Sequence, residues 1–304
     1  MRLSIVVVTW NCTGALSNLV ASMNRCLRSE PTLIVIDNAS GDDPEPAARS
    51  WRGETVYARN DENIGYGCAC NQGLERADGD AVVLLNPDTS LLDDGLTTLG
   101  KFALDQHALV GPRVLELSRS PQPSASGPAV GAWPWVRAVL PGRLTPRALL
   151  RYTEPWRLET TTEVAWLSGS CIAAPLPALR ELGGFDGTID IFAEDMELCL
   201  RAADHGIRTL FAPDVATIVH EGDVSTRQRF EDRGVTATAL SRRAVLERRY
   251  GTRAARASAR ADILNLWLRV AAKTVLRSPT RRRDAAMLAA FRVAARKNTT
   301  PAHR

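Results

Sequence analysis

The sequence predicts an α/β protein: a mostly parallel sheet covered by helices, followed by a basic helical tail. Short apolar runs rich in β-branched residues alternate with segments whose apolar residues recur every three or four positions, the order of parallel βαβ units. Polar residues follow the strands, at the sheet edge where α/β proteins bind ligands. From Arg227 onward the pattern becomes helical, with 20 basic against 5 acidic residues. We therefore expect a body over 1–226 and a tail over 227–304.

Composition and charge restrict the class of protein. The 304 residues are 45% hydrophobic and 24% charged, which is typical of a globular protein with one large domain and an appendage. The net charge of +4 divides into +15 for the tail and −11 for the preceding 226 residues. Six cysteines without CxxC spacing favour buried thiols in a reducing compartment, so we expect a cytoplasmic protein. The N-terminal MRLSIVVVTWN is interpreted as a first strand rather than a signal peptide, and no uncharged run is long enough to predict a spanning helix.

The first elements follow a strand-helix-strand order. Ser4 to Thr9 predicts a strand, and Asn11 or Thr13 is positioned to cap the helix that follows it. Thr32 to Ile36 predicts a second strand that ends at Asp37. A third strand over 56–59 leads into a glycine-containing loop and a helix from residue 66. That loop is not a dinucleotide-binding GxGxxG motif, because a cysteine stands where the third glycine is required.

The segment Leu84-Leu85-Asn86-Pro87-Asp88 ends a buried strand that begins at Ala81. Pro87 cannot donate a backbone hydrogen bond, so Asn86 and Asp88 should lie in a loop at the carboxyl end of that strand. A carboxylate there can bind a divalent cation that in turn holds nucleotide phosphates. Alone, the same residues more simply predict a strand-ending turn.

The second half of the body is less regular. Asp93 and Asp94 favour the start of a helix, and Ala108 to Val114 predicts one strand. Residues 118–160 have no clean period, and they predict either part of a substrate pocket or a surface excursion. Further on, a helix over 176–182 and a helix with Glu194 and Asp195 in its first turn are expected. Strands over 207–212 and 215–219 then lead to His220.

The tail predicts amphipathic helices. Between 258 and 277, Arg269, Lys273 and Arg277 share one side, and the other side is apolar, with Ile263, Leu264, Trp267, Leu268, Val270 and Val275. Such a helix can lie on an anionic membrane surface. It can equally pack on the body with its arginines in solvent. Nucleic acid is not an expected partner, because no recognition motif accompanies the charge.

Several segments together resemble the inverting family 2 glycosyltransferases of the GT-A fold, particularly their bacterial rhamnosyltransferase-like members. The matching segments occur in the family's order: SIVVVTWN (4–11), VIDNASGD (35–42), NIGYGCACNQG (63–73), LLNPD (84–88), WLSGSCI (166–172), GGFDGTIDIFAEDMELCLR (183–201) and HEGDVS (220–225). Each is weak alone, whereas the ordered set is highly specific. The resemblance implies a GT-A catalytic domain over 1–226.

The resemblance also implies roles for individual residues. Asp195 matches the catalytic base and Glu194 its partner, while Asp88 matches the metal-binding aspartate and His220 a later metal ligand, for Mg²⁺ or Mn²⁺. The implied nucleotide-sugar site comprises Thr9, Asn11, Asp37, Asn63, Gly65, Asn86 and Asp88. Asn86 replaces the aspartate that many members have at that position. Trp166 and Arg201 lie in segments implied to contact the acceptor or phosphate, although Arg201 can instead pair with Glu197 one helical turn earlier.

These roles imply a metal-dependent, inverting hexosyltransferase. The expected donor is dTDP-rhamnose, with UDP-galactofuranose or a UDP-hexose as alternatives on the same scaffold. The expected acceptor is a cell-envelope glycan or a polyprenyl-diphosphate-linked glycan, which would bring the enzyme to the inner face of the cell membrane. A catalytically silent nucleotide-sugar-binding or membrane-scaffold protein is the alternative of another class. The sequence leaves the oligomeric state open.

Overall fold

The structure is a computed structural model of the chain, and it describes residues 1–140, 142, 144–189, 192–221, 234–277 and 280–296. The HEGDVS match beyond Glu221 and part of the segment before Glu194 therefore lie outside the described residues. The strands are β1 (Leu3–Thr9), β2 (Thr32–Asp37), β3 (Thr55–Arg59), β4 (Ala81–Leu85), β5 (Thr89–Leu91), β6 (Ala108–Gly111), β7 (Arg113–Leu115), β8 (Ala125–Ser126), β9 (Thr162–Glu163), β10 (Trp166–Leu167), β11 (Cys171–Pro175), β12 (Arg208–Phe211) and β13 (Thr217–His220).

The helices cover the sheet and form the C-terminal part. They are α1 (Thr13–Cys26), α2 (Glu45–Arg49), α3 (Tyr66–Arg76), α4 (Gly95–Gln106), α5 (Trp133–Val139), α6 (Arg147–Thr153), α7 (Leu176–Glu181), α8 (Glu194–Asp204), α9 (Gly234–Val275) and α10 (Arg281–Arg296). A short 3₁₀ turn spans Pro155–Arg157. The prediction that residue 11 or 13 caps α1 is wrong, because neither side chain caps the helix and Asp42 Oδ2 instead accepts the Thr13 N–H at 3.0 Å.

The central sheet has the strand order β3-β2-β1-β4-β11-β6-β12-β9. The first four strands are mutually parallel, and β6 and β12 form another parallel pair. Strand β11 runs antiparallel to both β4 and β6, so it joins the two parallel parts. The prediction of a mostly parallel sheet is confirmed, and the carboxyl ends of β1, β2 and β4 meet at one edge as that prediction requires.

Both faces of this sheet are buried under helices. Ile5 and Val7 point to a core shared with α1 and α4, whereas Val6 and Val8 point to a second core shared with α3, α7 and α8. This alternation is the period of two that a strand imposes on its side chains. Burial on both faces explains why the parallel strands are continuous apolar runs rather than alternating ones.

The prediction of one strand over 108–114 is wrong. The chain divides at Pro112, which has no N–H for a ladder, into β6 and β7. Strand β6 stays in the central sheet, while β7 joins a second sheet of order β5-β13-β7. In that small sheet His220 lies opposite Thr89, so the division brings the end of β13 next to the turn that follows β4.

The irregular region forms a small helical excursion. Strand β8 pairs with β10, and helices α5 and α6 follow, with Trp133 stacked on Tyr152 at a ring distance of 4.0 Å. The hairpin after β7 closes through a bridge between Leu115 and Pro121. The excursion thus contacts the body at β10, a strand that packs against helix α8, where the expected catalytic base lies.

The C-terminal helices pack on the body and on each other. Helix α9 kinks at Gly251, whose φ of +81° is strained for any residue with a side chain. Before the kink, Val245 and Leu246 pack against Met196 and Leu200 of α8. After the kink, α9 runs against α5 and α10. A search of the described residues for a helix that is long and apolar enough to span a membrane finds none.

Candidate active site

The turn after β4 faces the end of β13 and brings two sequence-predicted metal ligands together. Asp88 Oδ1 lies 3.1 Å from His220 Nε2, and both side chains are almost completely buried. Asn86 Nδ2 lies 3.5 Å from the same imidazole nitrogen. The Asp88 carbonyl accepts the Glu221 N–H at 2.9 Å, which fixes the turn to the strand end. Asn86 and His220, which are 134 positions apart in the sequence, therefore belong to one polar cluster with Asp88.

This cluster fits a divalent cation. The His220 Nδ1 lies 3.0 Å from Gln122 Oε1, an oxygen that can only accept, so Nδ1 carries a proton in this hydrogen bond and Nε2 faces Asp88. At a separation of 3.1 Å, Nε2 and the Asp88 carboxylate can share either a proton, as an Nε2–H···Oδ1 hydrogen bond, or a divalent cation. Among the described residues no group of three or more His, Cys, Asp or Glu side chains could hold a metal, so phosphate and water oxygens would have to complete the shell.

Gln122 is a residue that the sequence did not single out. It lies in the aperiodic region, where its N–H donates to the Val114 carbonyl at 2.8 Å and so holds it beside β7. No motif or period marks it, and only the pairing of β7 with β13 places it beside His220. The hydrogen-bond partner of a ligand imidazole sets its tautomer and orientation, so Gln122 is a positioning residue of this cluster.

The expected catalytic base is held at the start of α8. Gly169 donates its N–H to Asp195 Oδ2 at 2.8 Å, and Met196 donates its N–H to Asp195 Oδ1 at 2.7 Å. Phe192 and Ala193, directly before this helix, both have positive φ angles of 61° and 74°. Two consecutive non-glycine residues in the left-handed region are strained, and such strain is typical of functional sites.

Residues 169 and 170 connect the base to the Asn-Pro-Asp turn. Gly169 holds the Asp195 carboxylate, and the carbonyl of Ser170 accepts the Asn86 N–H at 3.0 Å. The next residue, Cys171, begins β11 and lies opposite Leu85 in the sheet. One short connection therefore fixes the position of the two candidate reaction groups relative to each other.

Burial raises the pKa of Asp195 above the usual value of 3.8, although the hydrogen bonds from Gly169 and Met196 act in the opposite direction. Asp195 nevertheless remains partly exposed, so a substrate hydroxyl can reach it. Burial also raises the pKa of Tyr66, whose hydroxyl donates to the Gly169 carbonyl at 3.3 Å. A carboxylate with a raised pKa accepts a proton more readily, which suits a general base.

Both carboxylate oxygens of Asp37 accept hydrogen bonds from the protein. Its carboxylate accepts the Ser40 N–H at 2.9 Å, the Tyr57 hydroxyl at 3.1 Å and the Arg59 guanidinium at 2.5 Å, and its side chain is 0% exposed. Burial, together with the Asp37 charge, raises the pKa of Tyr57 to about 12, so this hydroxyl stays protonated as a donor. The carboxylate organises the end of β2 and positions Arg59, which is itself half exposed.

The other residues implied to bind the nucleotide lie in β1 and in the loops at the carboxyl ends of the parallel strands. Asn63 Oδ1 accepts the Gly65 N–H at 3.1 Å and an Asn38 Nδ2–H at 3.0 Å, and Gly65 precedes α3 with a φ of +87°. Thr9 is buried with its hydroxyl 3.1 Å from the Cys12 sulfur, and Asn11 Oδ1 accepts the Gly41 N–H. Asn38, which the sequence did not single out, joins these loops by four side-chain hydrogen bonds.

Arg201 and Trp166 occupy different environments. Arg201 forms a two-point ion pair with Glu197 at 2.9 and 2.8 Å, and it also donates to the carbonyls of Leu182 and Gly184. These contacts favour the pairing alternative for Arg201 over phosphate binding. Trp166 is half-buried three residues before Gly169, with the Arg242 guanidinium 5.6 Å from its ring centre. Trp166 also packs in one cluster with Ala193 and Met196, residues on either side of the expected base, where α9 meets the body.

Comparison with protein families gives two matches along the chain. Residues 4–129 match the family described as Glycosyl transferase family 2, and residues 157–270 match Glycosyl transferase family group 2. Among curated proteins, the chain is 25% identical over 252 residues to the N-acetylglucosaminyl-diphospho-decaprenol L-rhamnosyltransferase of Mycobacterium tuberculosis. That alignment covers 74% of this chain and 78% of the relative.

Solved structures resemble this fold over much of its length. A mannosyltransferase from Pyrobaculum calidifontis, solved with GDP-Man and Mn²⁺, superposes with a TM-score of 0.64 at 18% identity over 99% of this chain and 88% of its own. GalNAc-T7, solved with UDP, GalNAc and Mn²⁺, gives a TM-score of 0.57 at 20% identity over 72% of this chain, which spans 44% of that protein. The GT-A prediction for the fold is thereby confirmed.

Proposed function

Because the chain belongs to glycosyltransferase family 2, in its rhamnosyltransferase-like branch, we propose that it transfers a sugar from a nucleotide diphosphate donor to an acceptor hydroxyl with inversion. The observation that carries this proposal is the connection through Gly169 and Ser170, which ties the Asp195 carboxylate to the Asn86-Asp88 turn. Direct displacement at an anomeric carbon needs one base for the attacking hydroxyl and one site for the leaving diphosphate. Asp195 and the Asp88 cluster supply these two functions.

Asp195 acts as the general base. Its two backbone hydrogen bonds fix the carboxylate plane, and each oxygen keeps a lone pair that can accept the proton of the acceptor hydroxyl. Proton abstraction by a positioned carboxylate contributes about 10²- to 10⁴-fold to a rate. Glu194 lies at the first position of the same helix, and its buried carboxyl directly precedes the base in the sequence.

Asp88 and His220 are the residues that would hold a divalent cation. A bound Mg²⁺ or Mn²⁺ would offset the charge that develops on the leaving diphosphate. The imidazole favours Mn²⁺ somewhat over Mg²⁺, because nitrogen ligands suit the softer ion. Gln122 keeps Nε2 of His220 directed at Asp88.

For the donor, we propose dTDP-rhamnose. The support is the similarity to a decaprenol-linked L-rhamnosyltransferase over three quarters of the chain. The same nucleotide and metal groups would also accept UDP-galactofuranose or a UDP-hexose, since they contact the diphosphate and not the sugar. For the acceptor, we propose a sugar on a polyprenyl diphosphate, with Trp166 as the contact beside the base. An acceptor of this kind places the enzyme at the cytoplasmic face of the cell membrane.

The deciding experiment is a donor panel. Purified full-length protein with Mn²⁺ or Mg²⁺ and a short-chain polyprenyl-diphosphate N-acetylglucosamine is offered dTDP-rhamnose, UDP-galactofuranose, UDP-glucose and GDP-mannose, and release of nucleoside diphosphate is measured. We expect release with dTDP-rhamnose that depends on metal and acceptor. Release with another donor would correct the sugar while keeping the transferase. Donor binding without release from any donor would contradict the proposal and favour a silent nucleotide-sugar-binding protein.

A further inference from the structure

One face of α9 beyond its kink is apolar and is partly or largely exposed to solvent. Ile263, Trp267, Ala271 and Val275 recur at intervals of four, with Leu264 adjacent and Leu276 in the turn directly after the helix. We call these six residues the apolar stripe. Trp267, Val275 and Leu276 are 50%, 83% and 76% exposed. Large apolar side chains exposed along one line mark an interaction surface more often than scattered ones do.

The opposite face of the same helix section is the one that packs on the protein. Arg269 and Lys273 both pair with the buried carboxylate of Asp284 on α10, at 3.0 and 2.8 Å. Asp262 pairs with Arg137 of α5 and with Arg242. The helix therefore packs on its neighbours, as one of the two expectations for the tail has it, but this section does so through charged residues. Charged residues hold α9 to its neighbours, and the apolar stripe is left outside.

The surface around the apolar stripe is basic. Asp262 and Asp284 are the acidic residues of 251–296, and both are buried in ion pairs. Arginines remain exposed on the described part of this region, namely Arg253, Arg256, Arg260, Arg277, Arg281, Arg282 and Arg292. Buried acids and exposed bases give the helix pair a positive outer surface with an apolar centre.

We propose that the apolar stripe and its arginines form the surface by which this protein binds an anionic lipid bilayer. An aromatic and aliphatic face surrounded by basic residues is what an interfacial helix requires: the apolar side chains enter the boundary of the acyl chains, and the arginines reach the acidic headgroups. A second copy of the chain is a poorer occupant, because two stripes facing each other would also bring two positive rims together. The binding itself does not depend on the proposed function, although a lipid-linked acceptor would give it a purpose.

The test is co-sedimentation of the full chain with vesicles of phosphatidylglycerol and phosphatidylcholine, compared with phosphatidylcholine alone. Two paired variants separate the contributions: Trp267→Gln with Leu276→Gln removes apolar area at constant charge, and Arg277→Gln with Arg281→Gln removes charge at constant apolar area. The matched control is Leu117→Gln with Leu144→Gln, two leucines of the body that are equally exposed. Circular dichroism and analytical ultracentrifugation establish that each variant is folded and report its oligomeric state.

We expect the full chain and the control to bind anionic vesicles at low salt. The stripe variant should bind at least about tenfold more weakly. The arginine variant should lose most of its binding in moderate salt, because the Debye length is only about 8 Å at 0.15 M. Absence of binding by the full chain, or equal binding by the stripe variant and the control, would overturn the proposal. So would a dimer that the stripe variant converts to a monomer. The assay contains no donor or acceptor, so its failure and a failed donor panel are distinguishable.

Discussion

The proposed nucleotide side and the proposed acceptor side of the candidate site are assembled from different parts of the chain. On the nucleotide side, Asp37 ends β2 and Asp88 lies three residues beyond the end of β4, the two parallel strands on either side of β1, and their partners come from the adjacent loops and strand ends. On the acceptor side, Asp195 is held by Gly169, and Trp166 lies against Arg242 from the C-terminal helices. The sheet therefore fixes the proposed donor groups, whereas the proposed acceptor groups depend on how α8, β10 and α9 pack. Enzymes of this fold can change acceptors through that second set without altering the first.

The largest effect should come from replacing the base. Asp195→Asn keeps the shape of the side chain but cannot accept the hydroxyl proton, so transfer should fall by about 10²- to 10⁴-fold. Donor affinity, measured by calorimetry with the nucleotide sugar and Mn²⁺, should remain as in the wild type. Asp204→Asn at the other end of the same helix is the control and should keep full activity, since Asp204 pairs with Arg249 at the exposed surface. Near-normal turnover in Asp195→Asn would show that another group removes the proton.

The next effect concerns the positioning of His220. Gln122→Leu removes the acceptor for Nδ1–H, and loss of such a partner lowers metal affinity by about 10- to 100-fold. Binding of Mn²⁺ is measured by electron paramagnetic resonance without donor, and the ¹⁵N resonances of His220 report its tautomer. Gln122→Glu, which keeps an acceptor oxygen, should restore both readouts, and Gln106→Leu on α4 serves as the control. Unchanged tautomer and affinity in Gln122→Leu would separate Gln122 from the metal site.

A pH profile tests the environment of the base. Because burial raises the pKa of Asp195, the ionised form needed for catalysis is present above that pKa and is lost as pH falls through it. We expect kcat/KM to fall about tenfold per pH unit on the acid side, with a midpoint above the about 3.9 of an ordinary aspartate. Donor binding at each pH distinguishes this effect from loss of the nucleotide site. A profile flat down to the pKa of an ordinary aspartate would contradict an enclosed base.

The smallest effect on catalysis should come from Arg201. Arg201→Met removes the hydrogen bonds to Glu197 and to the carbonyls of the preceding turn, and each such bond from a charged group contributes about 1.5–3 kcal/mol when well shielded. Since Arg201 is partly exposed, we expect a loss near the lower end of that range, measured by urea unfolding, with an unchanged KM for the donor. Glu197→Gln should reproduce the loss of stability. A large rise in donor KM for Arg201→Met alone would restore the phosphate-binding alternative.

The contrast between groups fixed by the sheet and groups fixed by later packing also explains which features the sequence could predict. Strands β1, β2 and β4 are apolar runs of the expected length, and each ends at or next to a polar residue, so the amino-acid pattern alone locates the donor edge. The pattern does not locate Gln122, because this residue lies in an aperiodic loop and gains its role from the pairing of β7 with β13. The sequence predicts the tail only in part. Its two faces are visible in the sequence, but only the ion pairs of Asp262 and Asp284 decide which face is inward.

The stereochemical course of the reaction tests the central claim most directly, namely that one base and one diphosphate site suffice for transfer. With the donor identified by the panel, proton NMR of the first product formed gives the anomeric configuration of the new bond. A single displacement with Asp195 as base predicts inversion relative to the donor. A product that retains the donor configuration would contradict the account, because retention needs a second displacement or a different reaction path.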